Sequence, residues 1–195
     1  MKSLQVKFTG IGTVFMSDII NVSNLAKSLG PIALIDILKR HLNFITRIVE
    51  KHQGFVLQFE GDAVLAFWHP KHINPNHAQL AFDASCEILS NLPDLISSHT
   101  KLTYDVDIVL GTGEMAGDLF GPGNVFQVVG MAMSIMDRLS KQRNFKISCV
   151  RMSQYTLDLI NPKDGIEQIG TVLRDNLDDL KVFMYCPANK AFEAK

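Results

Sequence analysis

Apolar positions along this chain follow two periods, and the switches between them predict its elements. Gly12 to Ile20, GTVFMSDII, is an almost unbroken run of β-formers, the pattern of a buried strand. A short helix is expected over Val22 to Leu29, stopped by Gly30, with Pro31 at the first position of the next helix. That second helix reaches about Lys51. Ile35, Leu38, Leu42, Ile45 and Val49 recur at spacings of three and four, and Leu34, Ile37, Phe44 and Ile48 widen the stripe. Two short strands, Phe55 to Phe59 and Ala63 to Trp68, flank Glu60, Gly61 and Asp62, a tight hairpin signal. A helix from about Asn76 to Leu92 follows, then strands at Tyr104 to Leu110 and Glu114 to Asp118. The Gly121 to Asn124 loop leads into a strand at Val125 to Val129 and a helix from Met131 to about Lys141. Ile147 to Val150 reads as a strand and Ser153 to Leu159 as a helix with Ser153 at its cap. Ile166 to Leu173 and Leu180 to Tyr185 close the chain as an antiparallel pair.

Helices alternate with strands early and hairpins dominate later, which predicts an α+β sheet with helices packed on it. No linker, repeat or low-complexity tract divides residues 1–195, so one domain is expected. It begins close to Met1, as an N-terminal domain of a longer protein would.

Composition narrows the class. With 195 residues, 47% hydrophobic and 20% charged, the chain has the profile of a soluble globular domain. Its formal net charge of −1 offers no basic surface for nucleic acid. No apolar run approaches the ~20 residues a membrane helix needs, and the first residues lack a secretory apolar segment. A cytoplasmic protein is expected. Cys86, Cys149 and Cys186 are odd in number, widely spaced and without a CxxC pair, the pattern of buried, reduced thiols.

Candidate chemistry centres on two aspartates. Asp18 interrupts an apolar strand, where an unpaired carboxylate is costly and calls for a reason. Asp62 lies at a hairpin turn, where Asp is also common for turn geometry alone. Other motifs fall away. His69, His72 and His77 have no cysteine or carboxylate to complete a zinc set. GPGN lacks the Lys-Ser/Thr of a phosphate loop, and no GxSxG is present.

Several stretches, in order, carry a family resemblance. VFMSDI (Val14 to Ile19) is similar to the opening strand of class III adenylyl and guanylyl cyclases. FEGDAVLAFW (Phe59 to Trp68) resembles their F-x-G-D-A hairpin, in the manner of the soluble, bicarbonate-responsive type. LGTGEMAGDLFG (Leu110 to Gly121) resembles their glycine-rich hairpin, and VVGMAMSIMDRLS (Val128 to Ser140) their strand-to-helix passage. GTVLRDNLDDLKVFMY (Gly170 to Tyr185) has the shape of the closing strands.

The resemblance implies a ferredoxin-like βαββαβ core that works as a head-to-tail dimer, as a homodimer or with another cyclase domain. Each active site would lie between two subunits. It also implies conversion of a nucleoside triphosphate, ATP foremost, to a 3′,5′-cyclic nucleotide and pyrophosphate with two Mg²⁺ or Mn²⁺ per site. Asp18, Asp62 and the carbonyl of Ile19 would be the metal ligands. Arg138 matches the arginine that steadies the transferring phosphate, and Arg174 falls where a basic residue holds the terminal phosphates, although the glycine that follows in the family is Asp175 here. Three departures from the family fall at ribose and base recognition. Ser134 replaces the ribose-orienting asparagine, Gln58 the adenine-selecting lysine, and Gln127 its Asp or Thr partner. Two glutamines can donate and accept toward a base edge without naming the base. Met131, Met133 and Met136 replace smaller or polar residues, as in a packed helix. The readings that follow are an active cyclase, an inactive cyclase-like dimerisation or regulatory module, and the metal-binding half of a heterodimer.

Overall fold

The computed structural model describes residues 7–70, 73–97, 103–142, 146–172 and 179–187. Its elements are β1 (Phe8–Ile19), α1 (Val22–Leu29), α2 (Pro31–Lys51), β2 (Phe55–Glu60), β3 (Ala63–Trp68), α3 (His77–Ser97), β4 (Val106–Phe120), β5 (Val125–Gly130), α4 (Met131–Ser140), β6 (Cys149–Ser153), α5 (Gln154–Asp158), β7 (Ile166–Val172) and β8 (Leu180–Tyr185).

The sheet runs β2-β3-β1-β4-β6-β8-β7, with β5 paired to β4. Its first four strands, with α2 and α3 as crossovers, form the expected ferredoxin-like βαββαβ core. β4 and β6 are parallel and the other pairs antiparallel, so the sheet is mixed. The α+β reading therefore holds, as does the closing pair β7–β8. Ser153 caps α5, its side chain accepting from the Thr156 amide.

Both faces of the sheet are covered, which explains the continuous apolar runs. Phe15, Trp68 and Leu110 point to one core, shared with Ile45, Val49 and Ile88 of α2 and α3. Their chain neighbours Val14, Phe67 and Val109 point to the other, shared with Met136 and Leu139 of α4. Trp68 also donates its indole N–H to the His52 carbonyl at 2.8 Å.

Several boundaries differ from the sequence reading. The strands expected at 104–110 and 114–118 are one strand, β4. Gly111 and Gly113 do not break it; they let α4 lie against it. A Cβ at Gly111 would sit 2.4 Å from the Ala132 carbonyl oxygen and 2.7 Å from the Met136 amide nitrogen. The turn of this glycine-rich stretch comes later, at residues 121–124, where β4 pairs back onto β5. α3 continues past Pro93 to Ser97, so this proline lies inside the helix and does not end it. β1 starts earlier, at Phe8, and β6 runs later, to Ser153. On α2 the predicted stripe is buried only in its second half. Ile45, Ile48 and Val49 are core, while Ile35 is 51% exposed and Leu34, Ile37 and Leu38 are half-buried against the core.

Two histidines have structural roles. His69 packs among Phe8, Phe55 and Phe67. His77 begins α3, its Nδ1 2.8 Å from the Thr13 hydroxyl in a buried chain through Thr112 to Thr156. His72 lies outside the described residues. Of the thiols, Cys149 is buried and Cys86 and Cys186 half-buried. Burial pushes Cys86 up to about 12, away from thiolate chemistry.

Candidate functional site

β1 ends at Ile19, and the chain turns through Asn21, which adopts a left-handed conformation (φ 59°) before α1. Gly61, at φ 64°, makes the β2–β3 turn and brings Asp62 beside that end of β1. The result is a pocket of about 260 Å³ lined by Asp18, Ile19, Ile20, Asn21, Val22, Ser23, Asp62 and Asp107.

Asp18 is only 7% exposed, and Asp62 is half-buried. One Asp62 oxygen accepts the Ile19 amide at 3.0 Å, which aims the carboxylate at the end of β1. The first turn of α1 also lines the pocket. It holds no acidic residue and no side chain caps it, so its amides and the positive end of its dipole suit an anion. Carboxylates and helix amides lining one pocket make a place for a cation together with a phosphate.

The donor set fits Mg²⁺ or Mn²⁺, which take hard oxygen ligands. Among the described residues no three His, Cys, Asp or Glu side chains gather closely enough to hold a metal alone. That is compatible with Mg²⁺, which keeps waters and borrows substrate phosphates.

The expected site residues divide into two groups. Asp18, Ile19 and Asp62 meet in the pocket. Gln58, Gln127, Ser134 and Arg138 do not line it. Gln58 is exposed on β2 and donates its amide to Glu60. Gln127 is exposed on β5 opposite Asp118. On α4, Ser134 is exposed and Arg138 half-buried. Arg174 lies outside the described residues.

Residues 5–167 match the adenylate and guanylate cyclase catalytic domain family. The chain belongs to this family. Among curated proteins it is similar to adenylate cyclase 1 of Rhizobium meliloti (strain 1021), 26% identical over 69 residues, 35% of this chain and 10% of the relative. It thus spans about a tenth of that relative's length. Its fold matches the adenylyl cyclase CyaB from P. aeruginosa with a TM-score of 0.77 at 20% identity, covering 93% of this chain and 96% of that one. The guanylate cyclase domain of RhGC from Catenaria anguillulae, solved with GTP, gives 0.78 at 17% identity, covering 91% and 96%. Cyclase catalytic domains of this family act on nucleoside triphosphates, use divalent metals and work as dimers. No helix among the described residues is long and apolar enough to cross a membrane.

In this cyclase-family chain two further groups border the site that the sequence reading did not single out. Asp107 looks like an ordinary polar position in an alternating strand, and only strand pairing sets it opposite Asp18. His41 looks like part of the polar face of α2, yet it is fully buried, its Nδ1 3.3 Å from the Tyr104 hydroxyl. Burial lowers its pKa from 6.5 to about 4, against the pull of the Asp62 charge. An unfolded His41 therefore takes up its proton near pH 6.5 and the folded one only near 4. Between those values the unfolded state binds more protons, so stability falls as pH drops through the window, by up to roughly 3 kcal/mol. Urea midpoints at pH 7 and 4.5 should show this loss, and a smaller one in His41→Gln.

Proposed function

We propose that this chain is a nucleotide cyclase that converts a nucleoside triphosphate, ATP foremost, to the 3′,5′-cyclic nucleotide and pyrophosphate at a dimer interface. The observation that carries the reading is the meeting of Asp18, Ile19 and Asp62 in one pocket facing the start of α1.

In this reaction the ribose 3′-oxygen attacks the α-phosphorus, its proton departs, and the bond to the bridging oxygen of pyrophosphate breaks. Two divalent cations, when bound, supply Lewis acidity at the phosphates and ease deprotonation of the 3′-hydroxyl. Asp18, Asp62 and the Ile19 carbonyl are the groups that would hold them, from two elements of the fold. The first turn of α1 takes up phosphate charge. Arg138 steadies the transferring phosphate, Ser134 orients the ribose, Gln58 and Gln127 read the base, and Arg174 holds the terminal phosphates. Four of these lie away from the aspartate pocket, so a second cyclase domain presents them to it. An exposed apolar patch supports such pairing. Leu119, Phe120, Val125 and Val129 line the β4–β5 hairpin, with Val125 58% exposed.

A second reading is a catalytically weak or silent domain that serves as dimerisation module or metal-holding half. It is favoured by the Gln58 amide, which is already engaged by Glu60. Turnover of ATP, GTP, CTP and UTP with Mg²⁺ and with Mn²⁺ separates the two. Cyclic product from the purified chain is expected, with ATP the best substrate. A folded, dimeric protein that makes none with either metal would establish the second reading.

A further inference from the structure

Asp107 is the third carboxylate of the pocket, and it is directly opposite Asp18 in the β1–β4 register. Paired positions put both side chains on one face of the sheet, where like charges repel. Arg151 on β6 answers this. It is completely buried, and its guanidinium spans both oxygens of Asp107, Nε donating to Oδ1 at 2.9 Å and Nη2 to Oδ2. The Cys149 thiol donates to the same Oδ1 at 3.8 Å. The remaining nitrogen, Nη1, donates to the Leu139 carbonyl and, at 3.0 Å, to that of Gln142, at the end of α4. Buried ion pairs are poor stabilisers compared with apolar packing, so this one's position beside a carboxylate pocket calls for a functional account.

We propose that Asp107 and Arg151 form a charge regulator of the cation pocket. Arg151 withholds the third carboxylate from the cation, and the net charge of the pair sets how tightly Asp18 and Asp62 hold it. With the pair intact, its charges cancel. Loss of the guanidinium alone adds a negative charge to the pocket, and loss of the carboxylate alone leaves a positive one. The inference rests on the cyclase reading only in that the pocket binds a divalent cation.

The test is Mn²⁺ binding to the whole, nucleotide-free chain, read by electron paramagnetic resonance of free Mn²⁺, with folding checked by circular dichroism. Arg151→Met should tighten binding about tenfold and Asp107→Asn weaken it about tenfold, as a unit charge near a divalent ion requires. The double variant D107N/R151M should return to within about threefold of the unaltered protein. If R151M fails to fold, the recovery from D107N to the double variant decides alone. A double variant as weak as D107N would make Asp107 a direct ligand and overturn the proposal. Equal affinity in every folded variant would overturn it too, leaving the pair a packing feature. D18A should abolish binding. No binding by the unaltered protein would overturn the proposal while leaving the cyclase reading to the turnover assay, and Mn²⁺ binding that survives D18A would remove the cation pocket itself.

Discussion

Replacing Asp18 by alanine should cut cyclic nucleotide formation at least ~10³-fold, the scale on which loss of a charge-stabilising group acts in a transition state. The fold should persist. Asp18 lies at the last turn of β1, at the mouth of a pocket, and the core residues beside it, Phe15 and Ile19, are untouched. Asp18 lines the pocket and not the apolar core, so the protein should still melt cooperatively without it. Asp62→Ala should lose turnover to the same extent, together with the Ile19 amide bond, at about 1 kcal/mol of stability. Product assays beside thermal melts check both. Turnover that survives D18A would remove Asp18 from the chemistry.

Gly111→Ala is expected to disrupt the domain strongly. The added carbon meets the Ala132 carbonyl at 2.4 Å and the Met136 amide at 2.7 Å. These are backbone atoms of α4, so no side-chain rotation relieves the contact and the helix itself must move. A cost of about 4 kcal/mol, above the usual range for overpacking, is expected. For a domain of this size that lowers the melting temperature by roughly 8–16 °C. Gly113→Ala is the control. Its nearest contact would be 3.1 Å, so a loss of about 1 kcal/mol should suffice. Equal melting temperatures for the two variants would count against the close seating of α4 on β4.

The contrast between those glycines and Asp18 shows how much of this protein was legible in its sequence. Helices with one apolar stripe, α1, α2 and α4, announce themselves by period, and the β2–β3 turn announces itself by Gly61 and Asp62. Asp18 stands out because an acid within a run of valine, phenylalanine and isoleucine needs an explanation. The continuity of β4 was hidden, because glycines that serve close helix packing look like glycines that make turns. Asp107 and Arg151 were hidden for another reason. Each is a single polar residue in a strand, and their meeting depends on the parallel β4–β6 pairing. The proposed division of roles between the aspartate pocket and the residues on β2, β5 and α4 comes only from family resemblance, since no local pattern links residues that lie apart in one chain.

The β1–β4 ladder has one more consequence. All twelve residues of β1 are paired, from Phe8 with Gly117 to Ile19 with Val106. Side chains alternate between faces, so a slip of one residue would drive Asp18 into an oily layer and bring an isoleucine to the pocket. Misalignment is therefore penalised along the whole ladder at once. The carboxylate's position is a collective property of the sheet, and a nascent chain that closes this ladder correctly has also chosen where the Asp18 side chain will sit.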